Sequence, residues 1–265
     1  MNNIAVRSNL LEIKSGDYLL DFLGCDSKTI TINNEVNSTS SILIKNSVNI
    51  DELNINLKKD SRILLSILLD QDIKQIKITI NIDKNSSLEE YIADFSYNNL
   101  AFDCVINLLG EGADAYVKLA SLSANKDNKN ISVSINHIVG KTYGKVDNYG
   151  VCKDLGKLLF AGTSHIFEKA SKAKTEQNAK IMVFDEASNA IAKPILKIDE
   201  NDIEASHAAI VGKINDEHLF YLKSRGIPES EAKELITFGY LKPILSGFNN
   251  EETRNYISSL IERRM

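Results

Sequence analysis

The amino-acid sequence predicts a mainly β protein whose strands stack as a parallel β-helix, followed by a small C-terminal helical subdomain. Three observations predict this: runs of alternating apolar residues, turns of similar design at nearly constant spacing, and a change of pattern after Lys213. We expect residues 1–214 to form the β-helix with a short N-terminal cap, and residues 215–265 to form the helical subdomain. A β-sandwich with evenly spaced strands is the alternative for the β part.

Alternating apolar and polar residues predict the strands. The clearest runs are residues 54–57, 76–82, 115–119 and 131–135, which are rich in β-branched side chains. Side chains of a strand alternate between its two faces, so this period of two is typical of a half-buried strand. Proline, which interrupts strands, first occurs at Pro194. The region before it therefore reads as mostly β.

Recurring turns favour a stack of coils over a sandwich. Five polar or small residues connect apolar positions at 58–62, 83–87 and 110–114, which begin 25 and 27 residues apart. Small-residue turns are predicted around Gly162 and Ala187, again 25 residues apart. A fixed period of this length indicates a repeat architecture, and strand–turn–strand units without a regular helix favour a parallel β-helix.

The last fifty residues predict helices. Asn215 is a typical N-cap and Gly226 a typical left-handed stop, so a short helix is expected between them. Pro228 suits the first turn of a second helix, whose predicted apolar face contains Ala232, Leu235, Ile236 and Gly239. A third helix is predicted over residues 251–264, with Asn250 as its cap.

Composition excludes several functional classes. The net charge is −5, whereas a nucleic-acid surface needs clustered Lys and Arg. The apolar runs are far shorter than the ~20 residues of a spanning helix, and the first residues lack the pattern of a secretion signal. We therefore expect a cytoplasmic protein that binds neither membrane nor nucleic acid. Cys25, Cys104 and Cys152 are widely spaced and odd in number, which predicts buried free thiols.

Catalytic and nucleotide motifs are incomplete. Residues 140–142, Gly-Lys-Thr, lack the upstream glycine of a phosphate-binding loop and are predicted to form a turn. The four histidines show no spacing typical of a helical zinc site. Acids crowd residues 199–204, and a solvated loop is favoured there over a pair of catalytic carboxylates.

His207 is the leading candidate for a functional residue. Small side chains surround it, in the order Ala205, Ser206, His207, Ala208, Ala209. Such neighbours let a partner backbone or a small ligand come close, and imidazole is a common ligand of iron. A buried histidine satisfied by a backbone carbonyl is the alternative.

A long segment around His207 resembles a known family. The residues KPILKIDENDIEASHAAIVGKINDEHLFYLKSRGIPESEAKELITFGYL are similar to the C-terminal core of the SufB/SufD family of iron–sulfur cluster assembly proteins. Residues 158–194 also fit, and a weaker likeness extends back to about Ser15. The resemblance implies a right-handed parallel β-helix followed by a helical region, in agreement with the periodicity.

The resemblance also implies partners. Family members pair through their β-helices, and their helical region docks the SufC ATPase. Residues 216–241 are then the expected ATPase-docking surface, with Phe220, Tyr221, Arg225 and Gly226 as the candidate residues. The alternative is that these residues, Phe220 above all, only pack the helices onto the β-helix. A non-catalytic scaffold subunit, pairing with a SufB-type chain or with itself when isolated, is the implied function.

Two positions favour a SufD-like subunit. Alignment places Asn178 just before a strand, where SufB-type chains carry a cysteine, and Ala208 where they tend to carry Glu. His207 matches a histidine of the SufB–SufD interface, which makes it a candidate ligand of a transient iron–sulfur cluster there. No stably bound cofactor is expected. A β-helix polysaccharide lyase or hydrolase is the alternative function from another class.

Overall fold

A computed structural model of the chain describes residues 1–97 and 99–265. The described residues form seventeen strands: β1 (Asn2–Ala5), β2 (Leu10–Ile13), β3 (Gly16–Asp21), β4 (Thr29–Asn34), β5 (Thr39–Lys45), β6 (Glu52–Leu57), β7 (Arg62–Leu69), β8 (Gln75–Ile82), β9 (Ser87–Asp94), β10 (Leu100–Leu108), β11 (Asp114–Ser123), β12 (Asn128–His137), β13 (Tyr143–Cys152), β14 (Lys157–Ile166), β15 (Lys174–Val183), β16 (Asn189–Ile198) and β17 (Glu204–Lys213). Three α-helices follow, α1 (Asp216–Ser224), α2 (Glu229–Leu241) and α3 (Glu251–Arg263).

Successive strands of the chain belong alternately to two parallel sheets. The odd-numbered strands make a nine-stranded sheet in the order β1 to β17, and the even-numbered strands make an eight-stranded sheet in the order β2 to β16. Each strand between the ends of its sheet therefore pairs with the strand one coil before and one coil after it, as β11 does with β9 and β13. The predicted parallel β-helix is confirmed, and the β-sandwich alternative is wrong.

The β-helix interior is an apolar column. Inward positions of successive coils align in register, as Ile78, Cys104 and Val133 do in the eight-stranded sheet. All three are buried in one core cluster that runs from Val6 to Ile181. The four predicted runs lie in β6, β8, β11 and β12. The three cysteines are free and buried, as predicted.

Stacked turns explain the sequence period. Asp60, Asn85 and Gly112 occupy equivalent turns with φ between 55° and 75°. The N–H of Asp60 donates to the carbonyl of Lys84 at 3.0 Å, and that of Asn85 donates to Glu111 at 3.0 Å. Each turn thus hydrogen-bonds to the turn one coil later. Asn and Asp tolerate this left-handed conformation best among residues with a Cβ.

One predicted turn is wrong. Gly162 lies in the middle of β14, not in a turn, whereas Ala187 does lie in the turn between β15 and β16. Gly162 has a different reason to lack a side chain. A Cβ there would lie 2.6 Å from the Oε1 atom of Gln177, across the β-helix interior.

An asparagine ladder, which the sequence analysis did not identify, fixes the register of the eight-stranded sheet. The amide nitrogens of Asn56, Asn81, Asn107 and Asn136 each donate to the asparagine one coil earlier, at 2.8 or 2.9 Å. A one-residue slip of any strand would turn its asparagine to the other face. The ladder therefore favours one alignment of the coils.

The helices begin and end close to the predicted positions. The Asn215 side chain accepts from the N–H of Glu217, and the Asn250 side chain accepts from the N–H of Thr253. Gly226 has a φ of +86°. Pro228, however, is the N-cap of α2 rather than a residue of its first turn. Of the helices in the described residues, none is long and apolar enough to cross a membrane.

The predicted apolar face of α2 is mostly wrong. The residues that α2 buries are Ala232, Thr237 and Leu241, while Leu235 is 48% exposed. Leu235, Ile236 and Gly239 instead line a groove, described below. The spacing of apolar residues alone could not distinguish the packed face of α2 from the face that lines the groove, because both faces carry apolar residues.

The C-terminal segment packs against the outside of the nine-stranded sheet. Phe248, Ile257 and Leu260 share a second core cluster with Phe95 and Leu122. The guanidinium of Arg264 donates to the carboxylate of Asp127 and to the carbonyl of Leu122. These contacts hold α3 against the middle coils of the β-helix, whereas α1 directly follows the last coil.

Candidate functional site

The last coil of the β-helix lacks a cover. β16 and β17 are the terminal strands of their sheets, so each has a neighbour on one side only. All ten residues of β17 are exposed, in contrast to β13, where buried and half-buried residues alternate. We call the edge formed by β16 and β17 the open end.

Apolar side chains are displayed at the open end. Ile191 and Ile198 of β16 and Ile210 and Val211 of β17 are 39–58% exposed. An edge strand also presents unpaired N–H and C=O groups, which readily pair with another chain. The open end thus combines two features that favour protein–protein contact, an apolar surface and a strand edge with unpaired hydrogen-bonding groups.

His207 lies in the middle of this edge. It is the register partner of Gln177 in β15, and side chains of neighbouring strands in register point to the same face. Gln177 is 4% exposed, so this face is the one that looks into the β-helix interior. His207 itself is exposed. The alternative of a buried histidine is therefore wrong.

A polar cluster lies directly beneath His207. The Nε2 atom of Gln177 donates to the Oγ atom of Ser164 at 2.6 Å and to the carbonyl of Ile195 at 3.2 Å. The hydroxyl of Thr175 donates to the same Ser164 oxygen at 2.7 Å. These side chains replace the apolar column of the earlier coils, so the interior becomes polar toward the open end.

The chain does not bring a full set of metal ligands to His207. In the described part of the chain, no three or more His, Cys, Asp or Glu side chains are grouped so that they could hold a metal ion. His207 can therefore supply one imidazole ligand, but the described residues do not form a complete metal site around it. The carboxylates of Asp199, Glu200 and Asp202 belong to a loop, where Glu200 accepts hydrogen bonds from the backbone of Lys169, Asn201 and Asp202, whereas Glu204 is the first residue of β17.

Asn178 lies within β15, not before its strand as the alignment suggested. Its amide donates to the Oδ1 atom of Asp147 at 2.9 Å, and the hydroxyl of Tyr116 donates to Oδ2 at 3.0 Å. The Asp147 carboxylate raises the pKa of Lys145, which also faces Glu176 at 3.4 Å. These are the hydrogen bonds and ion pairs of an outer sheet face.

The two positions that distinguish the subunit types are neighbours. Asn178 of β15 and Ala208 of β17 are register partners, although thirty residues separate them in the sequence. Sequence reasoning treated them as independent differences. In the folded chain they form one outward-facing spot at and directly below the open end, on the face opposite to that of His207.

α1 is the most exposed helix. It buries none of its residues; Phe220 is 74% exposed and Tyr221 is 56% exposed. The interpretation that Phe220 packs the helices onto the β-helix is therefore wrong. The guanidinium of Arg225 lies 5.3 Å from the centre of the Tyr221 ring, and Gly226 ends the turn after α1.

On the outside, Glu229 joins α1 to α2 through Lys223 and also pairs with Lys233 of its own helix. Glu229 contacts Lys223 at 2.7 Å and Lys233 at 3.0 Å. The hydrogen bond from Lys223 and then that from Lys233 lower the pKa of Glu229 to about 2. On the inside, an apolar groove of about 610 Å³ separates the two helices from β15 and β17; Met182, Ile210, Tyr221, Leu235 and Tyr240 are among the residues that line it.

Comparison with known proteins places these features in a family. A family model described as "SUF system FeS cluster assembly, SufBD core domain" matches residues 25–240. That range contains the interior of the β-helix, the open end and the two helices α1 and α2. It also extends well upstream of residue 158, where the likeness read from the motif begins to weaken.

Individual relatives agree with the family model. The iron–sulfur cluster assembly protein SufD of Bacillus subtilis (strain 168) is 35% identical over 159 residues, which are 60% of this chain and 36% of the relative. SufB of the same organism is 30% identical over 136 residues, 51% of this chain and 29% of the relative. A SufBD family protein of Staphylococcus epidermidis (strain ATCC 12228 / FDA PCI 1200) is 30% identical over 141 residues. The chain spans about a third of the length of these relatives.

Proposed function

The chain belongs to the SufB/SufD family of iron–sulfur cluster assembly proteins, and from that premise we propose that it is a SufD-like scaffold subunit of a Suf complex. In this proposal it pairs with a SufB-type chain and binds a SufC-type ATPase. It acts in the cytoplasm and catalyses no reaction of its own. The single observation that carries the proposal is the uncovered last coil with His207 at its centre.

Pairing with a SufB-type chain is supported by the surface chemistry of the open end. β17 exposes all of its residues, and β16, the terminal strand of the other sheet, exposes Ile191 and Ile198. A protein that left such an edge open would risk non-specific strand addition. Contact with the equivalent edge of a related β-helix would cover both edges at once. The same self-complementarity favours a homodimer when the chain is isolated.

A role in cluster assembly is supported by His207. The higher identity to SufD than to SufB of Bacillus subtilis, 35% against 30%, agrees with the absence of a cysteine at Asn178. A subunit without that thiol can still lend an imidazole to iron. We propose that a transient iron–sulfur cluster, as cargo rather than as a resident cofactor, takes His207 as one ligand and the SufB-type subunit supplies the others.

Docking of the ATPase is supported by α1. Exposed aromatic residues and arginine dominate the energetics of protein interfaces; α1 exposes Phe220 and Tyr221, and Arg225 at its C-terminal end lies over the Tyr221 ring. Gly226 lets the chain turn away directly after this surface. A polysaccharide lyase or hydrolase has less support, because Asp199, Glu200 and Glu204 already have partners in His165, the backbone of their own loop and Lys174.

Reconstitution with purified partners tests the proposal. The intact chain is mixed with a SufB-type subunit and a SufC-type ATPase, and complexes are separated by size-exclusion chromatography. We expect a three-component complex that Phe220→Ala combined with Tyr221→Ala depletes of the ATPase. Leu23→Ala is the matched control, since Leu23 is 66% exposed at the other end of the β-helix. The proposal is wrong if the folded wild-type chain binds neither partner.

A further inference from the structure

A buried amide oxygen without a hydrogen bond lies beneath the open end. The Oε1 atom of Gln177 is inaccessible to solvent and has no hydrogen-bond partner. Leaving a buried acceptor unpaired costs about 1–3 kcal/mol, and native proteins rarely do so without a reason. The other end of the same amide is fully used, since its nitrogen donates to both Ser164 and Ile195.

The surroundings of the amide identify a candidate donor. The amide nitrogen reaches Ile195 of β16 in the last coil, so the group lies between its own coil and the last one. Its oxygen occupies the space that Gly162 leaves empty on β14. On the strand above, in register with Gln177 and on the same face, is His207.

His207 has a ring N–H to offer. A neutral imidazole donates from one nitrogen and accepts at the other, and the hydrogen bond made by one nitrogen decides which of them is free. His207 is exposed, and its neighbours Ala205 and Ala209 on the same face are small, so its side chain has room to rotate toward Gln177.

We propose that Gln177 is the positioning residue of His207: its amide oxygen accepts the ring N–H of His207 and turns the other ring nitrogen outward at the open end. The hydrogen bond fixes one tautomer and one ring orientation before a partner arrives. Residues that ligate metals generally have such a second partner, and removing it typically lowers metal affinity or activity by ~10–100-fold. The role in assembly rests on the proposed function, whereas the hydrogen bond does not.

Gly162 leaves the space that the Gln177 amide occupies in this arrangement. Because a Cβ at this position would lie 2.6 Å from Oε1 and 3.4 Å from Cδ of Gln177, Gly162→Ala pushes the amide away from its place without altering Gln177 itself. Gly162 lies in regular strand conformation, which alanine also adopts. This substitution therefore tests the geometry, while substitutions of Gln177 test the chemistry.

The test measures the tautomer of His207 in the isolated chain. In protein labelled with ¹⁵N-histidine, two-bond ¹H–¹⁵N spectra report the tautomer ratio of each ring at a pH where the rings are neutral. We expect His207 to populate one tautomer strongly and the exposed His218 of α1 to serve as an internal reference. Gln177→Met and Gly162→Ala shift His207 toward the ratio of His218, while Gln177→Glu, which keeps an acceptor oxygen, retains the wild-type ratio.

Two outcomes separate this inference from the proposed function. If His207 has the same tautomer ratio in the wild type and in Gln177→Met, both folded by circular dichroism, the positioning role is wrong; an ordered water on Oε1 would give this result. If the ratio shifts as expected and Gln177→Met slows cluster assembly in the reconstituted complex about tenfold, the inference holds in full. If the ratio shifts but His207→Ala assembles clusters at the wild-type rate, Gln177 still positions His207 and the proposed assembly role fails.

Discussion

The middle coils and the last coil of the β-helix are built from the same strand pairing and differ in what covers them. In the middle, β9 to β13 have neighbours on both sides, and α3 and its preceding turn cover the outer face. At the open end, β17 has one neighbour and exposes every residue. Equivalent positions in the two regions therefore have opposite environments, and in the proposed function the middle coils supply stability and the open end supplies recognition.

Val146 and Val211 provide the sharpest test of this difference. Both occupy inward positions of the nine-stranded sheet, yet Val146 is 2% exposed and Val211 is 44% exposed. We expect Val146→Lys to prevent folding, because burying an unpaired charge costs more free energy than the folded state of a typical domain gains over the unfolded state. Val211→Lys should change the free energy of unfolding by no more than ~0.5 kcal/mol and weaken pairing with a SufB-type chain at least tenfold. Soluble yield, denaturant unfolding and size-exclusion chromatography measure these effects.

The interior ion pair of the middle coils gives the next largest effect. Lys129 contacts Asp94 at 2.8 Å with both side chains fully buried, and Ser121 and Ser96 also donate to Asp94 at 2.6 Å. Lys129→Met leaves Asp94 as an uncompensated charge, which typically costs about 3–5 kcal/mol. Urea unfolding at pH 7 checks this value.

A matched surface pair controls for the loss of charge alone. Lys141 contacts Glu111 at 3.2 Å, and both side chains are more than half exposed. Because exposed pairs contribute ~0–1 kcal/mol, Lys141→Met should lower the free energy of unfolding by that amount at most. Equal losses at Lys129 and Lys141 would contradict the view that the middle coils exclude water.

Glu90 makes the stability of the middle coils depend on pH. Its carboxyl group is buried beside the thiol of Cys104, 3.5 Å from the sulfur, and burial raises its pKa from 4.5 to about 7. The folded chain therefore holds this proton more tightly than the unfolded chain. The stabilisation is complete below about pH 4.5 and is lost as the pH rises through about 7.

Glu90→Gln removes this dependence. We expect the variant to match the wild type near pH 4.5 and to exceed its free energy of unfolding at pH 8 by up to about 3 kcal/mol, the energy that corresponds to the raised pKa. Guanidinium unfolding at both pH values measures the difference. Glu89→Gln, at an exposed neighbouring position, is the control. A variant that is less stable than the wild type at pH 8 would show that the carboxylate is stabilised where it lies.

Substitution of Phe220 is expected to have the smallest effect on stability, and it tests only the proposed docking surface on α1. Since it is 74% exposed, Phe220→Ala should leave the thermal midpoint within ~1–2 °C of the wild type. Binding of a SufC-type ATPase, measured by isothermal titration calorimetry, should weaken by at least 1 kcal/mol, as expected of an exposed aromatic anchor. Unchanged affinity would remove α1 from the proposed docking surface.

Much of the fold could be predicted because the same strand pattern and the same turn residues recur from coil to coil. Alternation in β8 or β12 and the spacing of the turns at Asp60 and Asn85 reflect local chemistry that is written in the sequence. Gly162 was misjudged because a glycine that makes room for another side chain looks like a glycine that makes a turn. The packing face of α2 was misjudged for a related reason, since Leu235 faces a groove rather than the core.

The site was predictable only in part. His207 was identified by its small neighbours and by family resemblance, but Gln177 could not be, because thirty residues separate the two positions and only the strand register joins them. The adjacency of Asn178 and Ala208 has the same origin. The asparagine ladder could have been found from the sequence, since Asn56, Asn81 and Asn107 recur at the period of the turns.

Amide hydrogen exchange over residues 204–213 tests the central claim most directly. The intact chain is compared alone and with a SufB-type subunit, with peptides from β11 as the internal reference. We expect the free edge of β17 to exchange rapidly in the isolated chain and to become protected at least tenfold in the complex, while β11 stays protected in both. A complex that forms without any added protection of residues 204–213 would contradict the assignment of the open end as the pairing surface.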